Sequence, residues 1–465
     1  MSPSRHSATA EFDPISESAL SSPAPGLPRL LEAVPAHGAM SLQTHLDTHG
    51  ELPGAPRRRN RAGVSRLGDR RGGTTALIDQ IEQAGLGGRG GAGFPMAKKM
   101  RAVAAGRGKP IVVVNATEGE PASLKDRTLL QTLPHLVLDG AALAARAIGA
   151  EGAIVCVCES SSVSAERLAA AIAEREHLPG RWPRIVLNIA PQGYVAGQES
   201  ALVNHLNGGP GKPTFTPPMP FERGVRRQPT LVNNAETVAH LALIARHGPH
   251  WFRELGVPDQ PGSTLVTLSG PLAYPGVYEV EYGASLASLL DAAGGATKLV
   301  RAALFGGYAG TWVDAASLPR LALANVHLAP YRASIGAGVV LLLSAEACPV
   351  AETARVTRWL AEESAGQCGP CVHGLDALAR TLEQIRQGSA QGDAMSRVEQ
   401  LSMLVGKRGA CAHPDGTARF VMSASEVFTE EMADHARYGP CDACARRAEL
   451  PLPRRQMKPA GELIS

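Results

Sequence analysis

The sequence predicts an α/β domain, followed by a small β-grasp module and a C-terminal helical domain. Between about residues 75 and 250, short β-branched runs such as 111–114 alternate with amphipathic helical patterns. This alternation is typical of a sheet that carries helices on both faces. Residues 262–335 contain two strand-like runs around a Gly/Pro turn, then a short helix and a further strand. From residue 350 onward helical periodicity dominates, and we expect a helical bundle there.

Length and local composition set the expected boundaries. A chain of 465 residues exceeds what one compact core holds, and about three domains are expected. The first 74 residues are rich in Ser, Pro, Gly and Arg and show little periodicity, so they cannot bury enough surface to offset their ordering entropy. We predict a disordered N-terminal tail at 1–74, the α/β domain at 75–258, the β-grasp module at 259–340, the helical domain at 341–446 and a flexible C-terminal tail at 447–465.

Charge and composition exclude several functional classes. A net charge of +3 and an aromatic content of 4% argue against a dedicated nucleic-acid-binding protein. The most apolar run, at 335–345, is too short for the roughly 18 residues of a membrane span. The N-terminus has no apolar signal core, and we expect a cytoplasmic protein. Eight cysteines in such a chain favour metal or redox chemistry over disulfides.

A glycine loop at residues 88–93 satisfies the pattern G-x-G-x-x-G. The standard dinucleotide fingerprint requires a strand before the loop, whereas a helical pattern precedes this one. The loop does precede another helix, whose N-terminus attracts anions, and Lys98 and Lys99 add positive charge. Loop and lysines are compatible either with a phosphate-bearing ligand or with a simple flexible turn.

Polar residues follow the predicted strand at 111–114. Asn115, Glu118 and Glu120 come directly after its carboxyl end, where open α/β sheets bind ligands. Carboxylates at this edge either accept hydrogen bonds from sugar or ribityl hydroxyls or are simply exposed acids in a turn. Two further polar clusters, at 194–200 and 233–237, open helices, where Asn and Ser side chains either contact a flat heterocycle or act as caps.

The cysteines offer two metal-binding patterns. Cys368 and Cys371 form a C-x-x-C pair, and Cys411 follows forty residues later, as is common in iron–sulfur ligation. Cys441 and Cys444 form a second C-x-x-C pair, and two such pairs are also typical of structural zinc. Spacing alone leaves both metals open. Three cysteines lie in apolar, strand-like runs and are expected to be inert: Cys156, Cys158 and Cys348.

Four segments occur in the order and spacing of a known family: GRGGAGFP, NATEGEP, YVAGQESAL and VNNAET. Over about residues 75–440 the chain resembles the flavin-bearing NADH-oxidising subunit of respiratory complex I, and the related diaphorase subunits of soluble hydrogenases and formate dehydrogenases. The resemblance implies FMN in the α/β domain, then a soluble-ligand-binding β-grasp module and a helical iron–sulfur domain. The implied flavin residues are Gly88, Arg89, Gly90, Gly91, Lys99, Asn115, Glu118, Glu120, Tyr194, Gly197, Glu199, Asn233 and Asn234.

The resemblance also implies a [4Fe–4S] cluster. Cys368, Cys371 and Cys411 match three of the four cysteine ligands of the family, but Ala365 stands where the family has the remaining cysteine. A methyl group cannot ligate iron. Either the cluster has three protein ligands, or another group supplies the fourth, or no cluster forms; we favour a bound cluster. The candidate fourth ligands are Cys441, Cys444, His373 and His413.

The nucleotide contacts implied by the resemblance are less complete. Phe94 matches an aromatic residue near the adenine, whereas Ala102 replaces a second aromatic residue. Thr216 replaces a phosphate-pairing lysine, with Lys212 nearby but out of register. Gln198, at the cofactor site, replaces a glutamate. One charged phosphate contact and one stacking ring are therefore lost, which predicts weaker binding of NADH. The loss of an acid beside the flavin predicts a changed flavin potential. Thr117 also stands in place of an aspartate of the family.

The expected function is that of a flavin and iron–sulfur oxidoreductase subunit. It takes electrons from NAD(P)H onto FMN and passes them singly through the cluster to an electron-acceptor protein or to further subunits. The flavin performs the chemistry, so no side chain is expected to act as a catalytic acid, base or nucleophile. Two alternatives remain: a ferredoxin-linked electron-transfer module that does not bind NADH, and a degenerate scaffold subunit without enzymatic activity.

Overall fold

The computed structural model describes residues 26–53, 70–176, 178 and 182–453. Its first domain is built on a parallel four-stranded sheet with the strand order β3-β2-β1-β4. The strands are β1 (Ile111–Ala116), β2 (Gly152–Cys158), β3 (Arg184–Ala190) and β4 (Thr230–Asn234). The helices are α1 (Leu42–His49), α2 (Arg70–Ala84), α3 (Met96–Ala105), α4 (Lys125–Thr132), α5 (Pro134–Ile148), α6 (Ser162–Arg175), α7 (Glu199–Leu206) and α8 (Ala235–Arg253).

Both faces of this sheet are buried, as predicted. Val112 and Val114 belong to the main core beneath α5 and α8, whereas Val113 belongs to a smaller core on the other face, with residues of α7. Helices α5 and α8 approach so closely that a Cβ at Gly140 would lie 1.8 Å from the carbonyl oxygen of Val238. Glycine at this position therefore permits the helix contact that closes the core.

The predicted disorder of residues 1–74 is wrong for residues 26–53. Leu30 is fully buried in the main core, and α1 packs against α5 and α6. The carboxylate of Glu279 accepts hydrogen bonds from the N–H groups of three consecutive residues, Arg29 to Leu31. A few apolar residues and one distant buried carboxylate order this segment, and neither leaves a periodic signal. The basic run at 57–61 lies outside the described residues.

The second module is a mixed five-stranded sheet with the order β10-β9-β11-β7-β8. Strands β7 and β11 are parallel and the other pairs are antiparallel, which is the β-grasp topology predicted from the sequence. A two-stranded ribbon, β5 (Gly256–Val257) with β6 (Gln260–Pro261), precedes it. The sheet strands are β7 (Ser263–Ser269), β8 (Gly276–Glu281), β9 (Val300–Phe305), β10 (Thr311–Asp314) and β11 (Val339–Ser344), with helices α9 (Leu286–Ala292) and α10 (Asn325–Leu328).

The two faces of the mixed sheet have different partners. Leu268 and Leu342 pack with Leu289 of α9 in the core of the module. Leu304 and Leu341, on the other face, pack with Phe420 in the core of the helical domain. The β-grasp module is therefore joined to the helical domain by a shared apolar core, and β11 runs across the predicted boundary at residue 340.

The helical domain contains five helices within residues 349–438, and three of them match the predicted helical patterns at 351–362, 375–386 and 394–404. Their bounds are α11 (Pro349–Glu362), α12 (Leu375–Gln387), α13 (Ala394–Val405), α14 (His413–Val427) and α15 (Thr429–Tyr438). None of the helices in the described parts of the chain is long and apolar enough to cross a bilayer.

Residues 447–453 of the predicted flexible tail at 447–465 are ordered, and residues 454–465 lie outside the described residues. Leu450 is buried in the core of the helical domain. The Glu449 carboxylate accepts hydrogen bonds from the backbone N–H and the hydroxyl of Ser344, and the Glu449 N–H donates to Glu352 at 2.7 Å. As at the N-terminus, contacts with residues distant in sequence order a segment that has no periodicity of its own.

Candidate functional site

The candidate site lies at the carboxyl edge of the parallel sheet. In the order β3-β2-β1-β4, successive strands first extend from one side of β1, and β4 is then added on the other side. This reversal makes the ends of β1 and β4 the switch point at which open α/β sheets bind ligands. Asn115 at the end of β1 stands opposite Asn234 at the end of β4.

A 3₁₀ turn at Tyr194–Gly197 is held against the end of β1. The Asn115 amide donates a hydrogen bond to the carbonyl oxygen of Gly197 at 2.7 Å, and its Oδ1 accepts one from the Thr117 hydroxyl at 2.8 Å. A Cβ at Gly197 would lie 2.6 Å from that hydroxyl oxygen. Glycine is therefore required for the turn to reach the strand.

The residues after this turn begin α7 beside a lysine from α3. Gln198 caps the helix, because its Oε1 accepts hydrogen bonds from the N–H groups of Ser200 and Ala201. Glu199 forms an ion pair with Lys99 at 3.0 Å, and the Lys99 ammonium also donates to the carbonyl oxygen of Val232. The Lys99 side chain is 17% exposed, so its charge lies at the accessible edge of the sheet.

The glycine loop closes over the end of β4. The Gly88 N–H donates to the carbonyl oxygen of Phe94, and a Cβ at Gly90 would lie 3.5 Å from the Cβ of Asn234. Gly91 has a φ of 107°, in the region that side chains rarely adopt. The N–H groups of Gly90 and Gly91 have no hydrogen-bond partner among the described residues. Two exposed backbone donors therefore precede the N-terminus of α3, an arrangement suited to an anion.

The side chain of Arg89 differs from the expectation of a ligand contact. Its guanidinium is buried, lies over the ring of Tyr282 at 4.6 Å and donates to the carbonyl oxygen of Ser263 at 3.1 Å. Its backbone N–H donates to the Thr237 hydroxyl at 2.9 Å. Arg89 therefore anchors the glycine loop to the β-grasp module and to α8.

A buried charged cluster supports Asn234. The Lys125 ammonium lies within 3.0 Å of Asp126, Glu236 and the Asn234 Oδ1. Burial by itself would raise the pKa of Glu236, but the nearby Lys125 ammonium outweighs burial and lowers this pKa to about 2. The side chain of Glu236 also accepts hydrogen bonds from β7, and so connects the site to the β-grasp module. The sequence patterns did not identify Lys125 and Asp126, since only tertiary contacts bring these two residues to the strand end.

Glu118 and Glu120 are bonded to protein groups rather than open to a ligand. The Glu118 carboxylate accepts hydrogen bonds from the N–H groups of Asp126 and Arg127, both at 3.0 Å, and thereby caps α4. Glu120 is buried and accepts hydrogen bonds from the Tyr308 N–H at 2.8 Å and from the Tyr194 hydroxyl. Burial raises the pKa of Glu120 to about 7. These acids fix the surrounding backbone, and their role as acceptors for ligand hydroxyls stays a prediction.

Asn233 provides an open polar group in the same region. It precedes Asn234 at the end of β4, and its side chain is buried. Its Nδ2 has no hydrogen-bond partner among the described residues. Buried amide donors are usually paired, so this group is available to an acceptor on a bound molecule.

Tyr194 connects this edge to the helical domain. Its ring packs edge-on against Trp359, with the centroids 5.3 Å apart, and lies 5.4 Å from the ring of His413. Its N–H donates to the Glu363 carboxylate at 2.9 Å. Tyr194 therefore acts as a bridge between the sheet edge and the segments that carry the cysteines, rather than as a free wall of the site.

Cys368, Cys371 and Cys411 lie together beyond the C-terminal end of α11. Cys368 and Cys371 share a hydrogen bond, and each of the three thiols accepts at least one hydrogen bond from a backbone N–H. Although burial opposes it, hydrogen bonds from the N–H groups of Ala410 and Cys371 hold the pKa of Cys368 below its usual value. Burial raises the pKa of Cys371 to about 12. Thiols with several N–H donors in an apolar setting suit iron–sulfur ligation.

Ala365, which stands where the family has its remaining cysteine ligand, is buried beside these thiols. Ala365 precedes Gly366, whose N–H donates to the Cys371 sulfur. Among the candidate fourth ligands, His413 bonds through Nε2 to the carbonyl oxygen of Leu360, and its Nδ1 is buried without a partner among the described residues.

Cys441 and Cys444 belong to a different group. Their sulfurs lie near Cys348 and His435, at the N-terminal end of α11. This helix has 14 residues and is therefore about 20 Å long, so it separates the two cysteine groups. Neither Cys441 nor Cys444 can therefore be the fourth ligand beside Cys368, Cys371 and Cys411. Cys348, which was expected to be inert, belongs to this second group. Cys156 is fully buried in β2, as expected, and burial raises its pKa to about 12.

Comparisons with known proteins match both candidate regions. Residues 81–243 match the family model of the Nuo51 FMN-binding domain, and residues 351–435 match that of the NADH-ubiquinone oxidoreductase-F iron–sulfur binding region. The chain is 33% identical over 378 residues to the F subunit of NADH-quinone oxidoreductase from Streptomyces coelicolor, a match that covers 77% of this chain and 82% of the relative. It is 31% identical to the F 2 subunit of the Rhizobium meliloti enzyme, over 78% of this chain and 90% of the relative.

A solved structure shows the same fold. A chain in the crystal structure of an NAD⁺-reducing [NiFe]-hydrogenase in the H₂-reduced state is 33% identical, with a TM-score of 0.74. The match covers 78% of this chain and 63% of the hydrogenase chain.

The fold, the site at the sheet edge and the clustered cysteines together define a class of protein. It is an electron-transferring oxidoreductase subunit of the flavin and iron–sulfur type. Within that class, the chain belongs to the family of NADH-quinone oxidoreductase F subunits.

Proposed function

We propose that this chain oxidises NAD(P)H at an FMN site on the edge of the parallel sheet and delivers the electrons through an iron–sulfur cluster to partner subunits. The support comes from the family, from the open donors at the sheet edge and from the cysteine group behind it. When bound, FMN would supply the chemistry of this site: it can accept a hydride and release the two electrons one at a time.

The residues at the sheet edge fit a flavin mononucleotide. The unpaired N–H groups of Gly90 and Gly91 and the start of α3 suit its phosphate. The unpaired Nδ2 of Asn233 suits an acceptor on the ring system. We assign Gly88, Gly90, Gly91, Lys99, Asn115, Gly197, Asn233 and Asn234 to this site. Four other residues act as positioning residues: Glu118 and Gln198 cap helices, and Arg89 and Glu120 are buried against the β-grasp module.

We assign Cys368, Cys371 and Cys411 as the protein ligands of a [4Fe–4S]-type cluster. Hydrogen bonds from N–H groups to their sulfurs stabilise the thiolate form that metal binding requires. The remaining cysteine position of the family is Ala365, and Cys441 and Cys444 lie at the opposite end of α11. We therefore infer three cysteine ligands and no fourth cysteine, and His373 and His413 stay candidates for the remaining position.

One observation carries the proposal: a single turn contacts both sites. Gly197 is bonded to Asn115 at the sheet edge, while Tyr194, three residues earlier, contacts His413 and Glu363 in the helical domain. His413 follows Cys411 by two residues. These partly buried contacts support a flavin edge and a cysteine group on opposite sides of one turn.

The nucleotide would enter beside the glycine loop. Phe94, at the end of this loop, is 50% exposed and offers a ring face for stacking on adenine. Thr216, in the position of the phosphate-pairing lysine of the family, is exposed. We therefore expect NADH to bind more weakly than in relatives that retain the second aromatic residue and the lysine.

The test is the cofactor content and reactivity of the full chain purified without oxygen. We expect about one flavin per chain and an iron–sulfur absorption shoulder, and added NADH should bleach the flavin bands. Cys371→Ala should lose iron and keep flavin. Cys156→Ala, which removes a buried thiol from β2, should keep both and serves as the matched control.

Three results would contradict the proposal in different ways. Flavin that is bleached by reduced ferredoxin but not by NADH would support the ferredoxin-linked alternative. A chain without flavin or iron after reconstitution would support the scaffold alternative. Equal iron content in wild type and Cys371→Ala would place the cluster elsewhere.

A further inference from the structure

A compact group of four side chains lies at the N-terminal end of α11. The sulfurs of Cys348, Cys441 and Cys444 and the imidazole of His435 all lie within 4.8 Å of one another. The His435 Nε2 lies 3.4 Å from the sulfurs of Cys348 and Cys444, which are 3.3 Å apart. Cys441 and Cys444 are separated by 3.9 Å. The group brings together residues almost one hundred positions apart in the chain.

We propose that this group binds one zinc ion as a structural Cys₃His site. A tetrahedral zinc ion with Zn–S near 2.3 Å and Zn–N near 2.0 Å separates its ligand atoms by about 3.5 to 3.8 Å. The observed separations of 3.3 to 3.9 Å bracket these values. Three sulfurs and one nitrogen that converge on a single point suit one ion, and four protein ligands leave no open position for a substrate.

Hydrogen bonds to the four side chains orient them for a metal. The Nδ1 of His435 lies 2.7 Å from the carbonyl oxygen of Glu431, which fixes the proton on Nδ1 and leaves the Nε2 lone pair facing the sulfurs. Without metal this Nε2 accepts a long hydrogen bond from the Cys441 N–H at 3.4 Å, which zinc would replace. The Ala351 N–H at the start of α11 donates to the Cys348 sulfur at 3.3 Å. The N–H groups of Ala443 and Cys444 donate to the Cys441 sulfur, as in C-x-x-C zinc turns.

Charge balance favours the bound form. When zinc binds, the three thiols lose their protons and the neutral imidazole donates its lone pair, so the site carries a net charge of −1. The adjacent cleft, which Cys348 and Cys444 help to line, also contains Arg355, Arg386 and Arg446. Arg355, Arg386 and Arg446 each form an ion pair with a glutamate. The cleft lining nevertheless holds five arginines and two glutamates, and this excess of positive charge compensates the negative charge of the site.

This site is distinct from the iron–sulfur site of the family. Cys348, Cys441 and Cys444 lie outside residues 351–435, the region that matches the iron–sulfur model. The ion would fasten the segment after α15 to the start of α11, and that segment continues to Glu449 and to the buried Leu450. We infer that zinc closes the helical domain and orders the chain as far as residue 453.

The experiment measures zinc and iron together in the full chain. Wild type should contain about one zinc per chain by mass spectrometry of the metals. Cys444→Ser and His435→Ala should lose most of the zinc and keep the iron, whereas Cys371→Ala should lose iron and keep the zinc. This crossed pattern separates failure of the zinc proposal from failure of the proposed function, and Cys156→Ala should change neither metal.

A spectroscopic measurement on the wild-type chain tests the proposal even if a variant does not fold. Wild-type chain produced with cobalt in place of zinc should show the intense visible bands of tetrahedral cobalt bound to thiolates, and Cys444→Ser should weaken them. Wild type that contains no zinc, or that shows a Cys348–Cys444 disulfide instead, would overturn the proposal. So would zinc that is lost in Cys371→Ala and retained in Cys444→Ser.

Discussion

At the scale of single residues, burial changes the chemistry of Glu120 most clearly. This carboxyl is buried between the α/β domain and the β-grasp module and accepts hydrogen bonds from Tyr308 and Tyr194. Burial raises its pKa from 4.5 to about 7, because the charged form loses hydration that these donors replace only in part. A raised pKa means that the folded protein binds this proton more tightly than the unfolded chain does.

The pH dependence of stability should therefore contain a term from Glu120. Between pH 4.5 and pH 7 the folded state holds more protons than the unfolded state, so stability falls as the pH rises through this window. The loss reaches about 3 kcal/mol at most. Glu120→Gln should abolish this term, so the difference in melting temperature between variant and wild type should change from pH 4.5 to pH 7.5. A constant difference across this range would show that the pKa of Glu120 is the same in the folded and unfolded states.

Lys99 and Lys98 provide a matched pair for testing the flavin site. Lys99 is partly buried between Glu199 and Val232, whereas its neighbour Lys98 is exposed. Lys99→Met should weaken FMN binding to the apoprotein about tenfold or more, since a charge-assisted hydrogen bond contributes roughly 1.5–3 kcal/mol. Lys98→Met should change the dissociation constant only slightly. Fluorescence titration with FMN measures both values, and equal effects of the two substitutions would contradict the assigned site.

At the scale of elements, the 3₁₀ turn at Tyr194–Gly197 is the part of the site most sensitive to shape. Its contact with β1 depends on the missing side chain of Gly197, since a Cβ there would lie 2.6 Å from the Thr117 hydroxyl. The turn is also the connection to the helical domain. A single added methyl group at this position is therefore expected to disturb both sites.

Gly197→Ala should lower the flavin content of the purified chain and destabilise it by about 1–3 kcal/mol, through overpacking against Thr117. The double variant Gly197→Ala/Thr117→Ala removes the obstructing hydroxyl and should regain part of the flavin. Flavin per chain and melting temperature measure both effects. A single variant with full flavin content would show that the turn does not shape the site, and a double variant no better than the single would identify another cause.

The elements were largely predictable, but their ends and partners were less so. The β-grasp module and the helices α11 to α13 follow from local alternation and helical periodicity, which depend only on neighbouring residues. Helix α2 begins at Arg70, before the expected start of the α/β domain at residue 75, and β11 continues to Ser344, past the expected boundary of the β-grasp module at residue 340. Tertiary packing extends elements past the point at which their own periodicity ends.

At the scale of the whole molecule, a segment near the N-terminus joins two domains. Glu279 of β8 accepts hydrogen bonds from the N–H groups of Arg29, Leu30 and Leu31, and the Arg29 guanidinium donates to the carbonyl oxygen of Trp251 in α8. Helix α8 belongs to the α/β domain and β8 to the β-grasp module. The segment therefore links the flavin-type domain to its neighbour.

Glu279→Ala should release this segment. Three buried N–H groups would lose their acceptor, and we expect a loss of about 3 kcal/mol or more, with faster cleavage by trypsin after Arg29. Glu281→Ala, on the same strand, is the control, because within the described parts of the chain Glu281 accepts only a long hydrogen bond from the Gly256 N–H at 3.4 Å. Limited proteolysis followed by mass spectrometry measures the cleavage. Equal cleavage in the two variants would argue against the anchoring role.

The sequence by itself determined the class of this protein, because its glycine loop, its paired asparagines and the cysteines at 368, 371 and 411 lie in short, ordered motifs. Only the tertiary structure decided that Arg89, Glu118 and Glu120 bond to the protein. It alone brought Cys348 to His435, Cys441 and Cys444. The physical reason is distance along the chain: a motif records which residue types are neighbours in sequence, whereas the direction of a buried side chain and the closure of a metal site depend on how helices and sheets pack.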